Sequence, residues 1–350
     1  MKDSVQRVRA VIHGCTPDRA PLYDLLRNDA VIRHFTGEEL TTENAERVVF
    51  RCYEPAVDAT RPMVRLPRAE QEYTRTDGRK ERVFRWTVWT EHQTYADSDA
   101  YAAAKRKELD SIPAWTTERQ KQMDGHLASV AEHRRKLGEV FFFPTAPGVG
   151  LMGIYGEVGL EQFSYYLADC PEIIEMWIER NALAAIEWAE HLPADHGIEA
   201  VFVGDDIAYK TGPVLSPEWF RTHYFPRFAR VMAAYHKRGI KVLFHSDGNL
   251  NSLLDGLVEA GIDGLNPIEV LADMDVGDIH RRYPHLFMSG GIDVSQLLPY
   301  GKPQEVKDAV HRAIDAAEGR LMVGSSTELH NDVPLANFLA MREAVLEHRY

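Results

Sequence analysis

The segment Lys241-Val-Leu-Phe-His-Ser-Asp-Gly248 places a histidine and a carboxylate two residues apart behind an apolar run. A short apolar stretch without alternation suits a strand covered on both faces, and side chains two apart on a strand share a face. His245 and Asp247 are therefore expected to aim at one point. Such a pair can bind a metal, share a proton or hold a polar substrate. The other polar residues that follow apolar runs are Thr145, Asp205, Asp206, Asn266, Glu269, Asp293 and the cluster Ser325-Ser-Thr-Glu-Leu-His330. Asp205 and Asp206 are adjacent, so one is expected to look into a site while the other caps a neighbour; His245 and this pair are the candidate catalytic groups. Asp293 either faces a ligand or caps the helix after it. Thr145, Asn266, Glu269, Asp293 and Arg27 are candidate substrate contacts. Glu328 and His330 could complete a metal set with His245 and Asp247, the alternative being a solvated turn.

The elements that must position these groups alternate regularly from Val140 onward. Strands are predicted at 140–145, 200–207, 241–245, 261–267, 285–293 and 321–326. Helices are predicted at 160–192, interrupted near Pro171, then at 216–238, 251–260, 274–283 and 303–318. Ser216 and Pro217 form a helix-opening pair. Strand and helix with short connections argue a parallel βα plan, and polar residues at the strands' C-terminal ends match where (β/α)8 barrels place their chemistry. About seven core strands are counted, and the chain is read as one (β/α)8 domain over residues 1–350. Residues 1–138 carry an N-terminal helical and hairpin elaboration, and residues 139–350 the regular units. In that first part a helix is predicted at 2–14, a strand at 19–24, and a helix from Gly37 to Ala59 with Thr42 as its N-cap. A hairpin turning at Asp77-Gly78 and a charged helical stretch at 97–137 broken at Pro113 follow. The loop Ala146-Pro-Gly-Val-Gly-Leu-Met-Gly153 reads as a turn, or as a cradle for an anion.

Forty basic against fifty-three acidic side chains leave a formal charge of -13, which disfavours phosphate backbones and anionic membranes as partners. No apolar run approaches the roughly 20 residues that span a bilayer, and the first residues lack the apolar core of a secretion signal, so a cytoplasmic location is expected. Cys15, Cys52 and Cys170 are widely spaced, which indicates neither a disulfide framework nor a thiolate cluster.

Several segments together resemble the uroporphyrinogen decarboxylase-like superfamily. They are Arg19-Ala-Pro, Thr76-Asp77 with Trp86 and Val88, Gly204-Asp-Asp before Leu215-Ser-Pro-Glu-Trp-Phe, and Phe244-His-Ser-Asp-Gly-Asn. Glu259-Ala-Gly-Ile-Asp-Gly-Leu-Asn-Pro-Ile-Glu269, Gly290-Gly-Ile-Asp293 and Pro334-Leu-Ala-Asn337 complete the set. The resemblance implies a (β/α)8 barrel with an N-terminal elaboration. True decarboxylases carry an arginine-rich motif after the first strand; here that place reads Leu25-Leu-Arg-Asn-Asp-Ala-Val-Ile-Arg33, with only Arg27 fitting. The corrinoid-linked methyltransferase branch is the nearer likeness. It implies zinc held by a His-x-Cys pair and a later cysteine. His245 stands at the histidine position, but Asp247 replaces the first cysteine and Ser325-Ser-Thr-Glu-Leu-His330 falls near the second.

Zinc accepts nitrogen and oxygen ligands, so His245, Asp247 and Glu328 or His330 remain a possible set. An all-N/O site lacks the sulfurs that would keep a bound thiolate nucleophilic. The resemblance thus implies methyl transfer between a small methylated substrate, a methyl ether or methylamine, and a corrinoid protein or folate. The alternatives are a metal-independent decarboxylase or lyase of an unknown carboxylate, with Arg27 gripping it, and a non-catalytic ligand-binding barrel.

Overall fold

The computed structural model describes residues 4–61, 64–111 and 115–350; Pro113, where a helix break is predicted, lies outside them. Five parallel strands form the continuous part of the sheet: Ala200–Gly204, Lys241–His245, Gly264–Ile268, Phe287–Ile292 and Leu321–Ser325, each beside the next. Ala59–Thr60 and Phe141–Phe142 form a second parallel pair. The gaps between the two are closed by single bridges. Thr145 pairs with Phe202, Leu22 with Val323, and Tyr23 with Ala59. Backbone hydrogen bonds confirm the seams: Tyr23 N donates to Val323 O at 2.7 Å, and Ala146 N to Phe202 O at 3.0 Å. Counting residues 22–23 as an arm, eight parallel segments close into a ring, one more than the sequence pattern reveals. The segment that escapes notice is Ala59–Thr60, two residues long and falling where the helix predicted from Gly37 to Ala59 is expected to end; that helix stops at Ala56.

The ring's interior is packed, as expected for a barrel of eight strands. Tyr23, Phe141, Phe143, Phe202, Leu243, Phe287 and Met322 fill it together with Val8, Val11 and Ile12 of the N-terminal helix Ser4–Ile12. That helix plugs the strands' N-terminal end. Below the packed layer Asp58 ties it down, accepting from Ser4 Oγ at 2.6 Å and from both terminal nitrogens of Arg19. One end of the barrel is therefore sealed, which leaves the other for chemistry.

Most predicted elements are present, with shifted ends. The hairpin is a three-stranded antiparallel ribbon, Gln71–Thr74, Lys80–Val83 and Val88–Thr90, outside the ring. The charged stretch is two helices, Ser98–Ser111 and Thr117–Leu137. The helix predicted from Gly37 begins at Ala45 with Asn44, not Thr42, at its N-cap. A further helix, Asp29–Thr36, precedes it; Asn28 caps it by accepting from Val31 N, and Gly37 ends it in the left-handed region.

Candidate functional site

Parallel register does the first part of the positioning. Gly204 lies beside His245, and His245 beside Asn266, so the ends of three neighbouring strands meet at one level. The pleat then turns His245 and Asp247 to one side and Ser246 to the other. Ser246 is fully buried and its hydroxyl accepts from Ile207 N at 2.9 Å. The turn that follows is held from both sides: Asp206 Oδ1 accepts from Asp247 N at 3.1 Å and Glu269 Oε2 from Gly248 N at 2.7 Å. Only glycine fits at 248, where φ is +94° and a Cβ would stand 2.6 Å from Tyr209 O.

His245 is buried and carries its proton on a defined nitrogen. Asn266, itself fully buried, donates its Nδ2 to Ser289 Oγ at 2.6 Å, so its Oδ1 is the atom that faces His245 Nδ1, at 2.7 Å. With Nδ1 as the donor, the lone pair lies on Nε2, and Arg61 Nη1 stands 3.5 Å from it. Nε2 points toward Asp206 Oδ1 at 3.6 Å and Asp247 Oδ1 at 4.0 Å. Burial, with the nearby Arg61 guanidinium adding to it, pushes the imidazole down to about 3. It is neutral at any physiological pH. Asp247 moves the other way, up to about 7, through burial first and then the neighbouring Asp206 and Glu269 carboxylates. Its Oδ1 is buried without a hydrogen-bond partner.

Among the described residues, Asp206, His245 and Asp247 form the one group whose donor atoms lie close enough together to hold a metal ion, all within 4.8 Å of one another. A neutral imidazole presenting its Nε2 lone pair and two carboxylates, one with a buried oxygen that has no hydrogen-bond partner among the described residues, fit a divalent cation. Asp206 is thus the member that the sequence pattern did not place in the set. Glu328 lines the same cavity but is outside that donor group: Arg27 and Arg61 hold its carboxylate. His330 lines a separate cavity of about 660 Å³, and its carbonyl accepts from Asn28 Nδ2.

Asp205 does what one of an adjacent pair was expected to do. Its carboxylate, fully buried, accepts from Leu151 N at 2.9 Å, Met152 N at 2.6 Å and Tyr224 Oη at 2.8 Å. The Gly-rich loop therefore does cradle an anion at the start of the helix Leu151–Val158, but the anion is the chain's own aspartate. Burial still outweighs those three bonds and raises Asp205 to about 6. Asp293 likewise caps: its oxygens accept from Ser295 N, Gln296 N and Leu297 N. Asn266 orients His245, and Glu269 holds the 247–248 turn. Thr145 reaches the cavity itself, on the rim of a pocket of about 490 Å³ shared with Arg27, Arg61, Met152, Phe202, Asp206, His245, Asp247 and Glu328.

Residues 103–348 match the uroporphyrinogen decarboxylase (URO-D) family. The chain belongs to the URO-D family. Over 156 residues, 45% of this chain and 44% of the relative, it is 23% identical to the methylcobamide:CoM methyltransferase MtbA of Methanosarcina mazei. It thus spans less than half the length of that relative. A methyltransferase structure from Methanosarcina mazei superposes over 99% of both chains with a TM-score of 0.69 at 16% identity, which establishes a common fold.

One residue of this URO-D site was missed from sequence. Arg61 follows the short strand Ala59–Thr60 and is 8% exposed. Its Nη1 stands 3.3 Å from His245 Nδ1 and 3.5 Å from Nε2, its Nη2 3.2 Å from Glu328 Oε2, and its guanidinium carbon 5.2 Å from the centre of the Phe202 ring. Arg61 follows only an alanine and a threonine in its strand, too short and too polar a run to carry the signal that precedes His245.

Proposed function

We propose that this chain is a methyltransferase that moves a methyl group between a small methylated substrate, of the methyl ether or methylamine type, and a corrinoid protein or folate. A divalent metal, with zinc the first choice, would be held by Asp206, His245 and Asp247. The observation that carries this is the donor set itself: one buried, neutral imidazole presenting Nε2 toward two carboxylates at the barrel's open end. The likeness to a methylcobamide:CoM methyltransferase supports the methyl-transfer part and the corrinoid partner.

When methyl leaves oxygen or nitrogen, the departing atom keeps the bonding pair and must be stabilised. A bound metal would supply Lewis acidity at that atom. The chain's own residues do the rest. Asn266 fixes the imidazole's tautomer and angle, Glu269 and Asp206 hold the backbone of the turn that carries Asp247, and Phe202 packs against the imidazole at 5.0 Å between ring centres and excludes water from it.

A second reading draws on a different observation. Arg61 lies against both nitrogens of His245, and Asp247 is raised to about 7. A carboxyl with that acidity can protonate a carbanion, which suits a metal-independent decarboxylase or lyase. Elemental analysis separates the two. The methyltransferase reading expects stoichiometric zinc or another divalent metal in the wild type, little in His245→Ala, and methyl transfer to cob(I)alamin from a methylated donor. Purified protein without metal and without such transfer would overturn it.

A further inference from the structure

A second cavity, of about 460 Å³, meets the reaction cavity at Thr145, Ala146 and Pro147, which line both. The helices Thr117–Leu137 and Pro171–Glu190 supply most of its other walls. Its lining is largely apolar, with Trp115, Met123, Ala184 and Trp188 opposite the shared segment. The one charged side chain among the described lining residues, Arg119, is paired with Glu187 at 2.6 Å and lies over the Trp115 ring, 5.0 Å from its centre. A ligand therefore finds no unbalanced charge here. An open apolar hollow of this size carries a hydration cost that closer packing would remove.

The aromatic walls are held apart by contacts of their own. Trp115 stacks on His191 with ring centres 3.9 Å apart, and its Nε1 donates to Gln120 Oε1 at 3.2 Å. Trp188 meets His126 and Tyr235 edge to face, at 5.9 Å and 5.8 Å between centres. The Tyr235 hydroxyl in turn donates to Pro147 O at 2.6 Å, which ties this wall to the shared segment. Rings fixed in this way bind a ligand without first having to be ordered. His126 is the polar group left over. Burial favours its neutral form against a hydrogen bond to the Thr145 backbone, and its Nε2 is buried with no partner among the described residues. A neutral imidazole that donates through Nδ1 offers Nε2 as an acceptor, so what is missing is an N–H or O–H donor. We propose that this cavity is a second small-molecule site, which takes an uncharged planar aromatic ligand carrying one N–H or O–H donor for His126. The site does not depend on the methyl-transfer reading, because none of its residues belongs to the metal-donor group. The shared wall nevertheless leads there: residues 145–147 run on to Leu151 and Met152, whose N–H groups hold Asp205 beside Asp206.

The test uses the whole chain, with binding read by calorimetry and thermal stability. The probes are two bicyclic molecules of one shape: indole, which carries an N–H, and benzofuran, which has an oxygen in its place. Indole is expected to bind and to raise Tm, and benzofuran to bind about threefold to tenfold more weakly, the share of one hydrogen bond. Ala184→Leu fills the cavity from a helix that accepts leucine readily, and is expected to lose the binding of both probes. His126→Leu removes the acceptor and is expected to make the two probes equal. Should that variant fail to fold, the comparison of wild type with Ala184→Leu still decides. No binding of indole by the wild type, indole binding that survives in Ala184→Leu, or equal affinity of the wild type for the two probes would overturn the site.

Discussion

At the scale of single residues, the site depends on one imidazole being neutral and presenting the correct nitrogen, and that is the work of Asn266. Its amide is pinned by Ser289, so its oxygen is the atom facing His245. Asn266→Ala removes the acceptor and leaves the Nδ1 proton buried without a partner. Partners of this kind typically contribute 10–100-fold to metal affinity, so metal binding by Asn266→Ala, measured by chelator competition, is expected to fall by about one to two orders of magnitude. If Asn266 instead touched substrate, metal affinity would hold and only substrate binding would change. The sequence offered His245 and Asp247 through strand alternation alone, and the structure places them together. It could not rank Asn266 as an orienting group, because its role depends on the register between two strands, which is a long-range property.

At the scale of elements, the strand-end carboxylates divide into those that face the cavity and those that hold helices. Asp205 and Asp293 belong to the second kind, and both were candidates for chemistry on sequence because a cap and a ligand require the same residue type at the same strand end. Asp293 accepts three backbone N–H groups at the start of the segment leading into Leu297–Tyr300. Asp293→Ala is therefore expected to cost about 1–2 kcal/mol of stability, read from denaturant unfolding, with metal content unchanged. A loss of metal or of ligand binding at unchanged stability would return Asp293 to the site. The helix Asp29–Thr36 illustrates the complementary gap. Its caps Asn28 and Gly37 are present in the sequence, but eight residues are too few for helical periodicity to stand out.

At the scale of the whole molecule, the seam between the first arm and the last strand is held by one bridge, Leu22 to Val323, where the central strands share a ladder. Asp24 sits in that seam, fully buried, accepting from Ser325 N at 3.1 Å and Ser325 Oγ at 2.8 Å. Burial nevertheless pushes it up to about 6 from the ordinary 3.8. Between those two values the folded state holds a proton that the unfolded state has released, so stability falls as pH rises through that window and is level above it. A shift of this size corresponds to on the order of 2–3 kcal/mol. The advantage of wild type over Asp24→Asn is therefore expected to be greatest near pH 4 and to shrink by pH 7; a constant gap would mean that the carboxyl titrates normally. The seam also fixes the residue beside it. At Gly324 an added Cβ would stand 1.9 Å from Tyr23 O, a backbone atom that cannot move aside without breaking the bond from Tyr23 N to Val323 O. Gly125, in the helix Thr117–Leu137, has nothing within 4 Å of the same position. Gly324→Ala is expected to destabilise the fold by at least the upper part of the about 1–3 kcal/mol typical of overpacking, whereas Gly125→Ala is expected to be neutral or to stabilise by about 0.5–1 kcal/mol. Thermal unfolding of the two variants side by side measures how much of the barrel's stability passes through its closure. Equal midpoints would mean that the first arm can leave the ring at little cost, and that Asp24 and Arg27, which it carries, are not held in place by the seam.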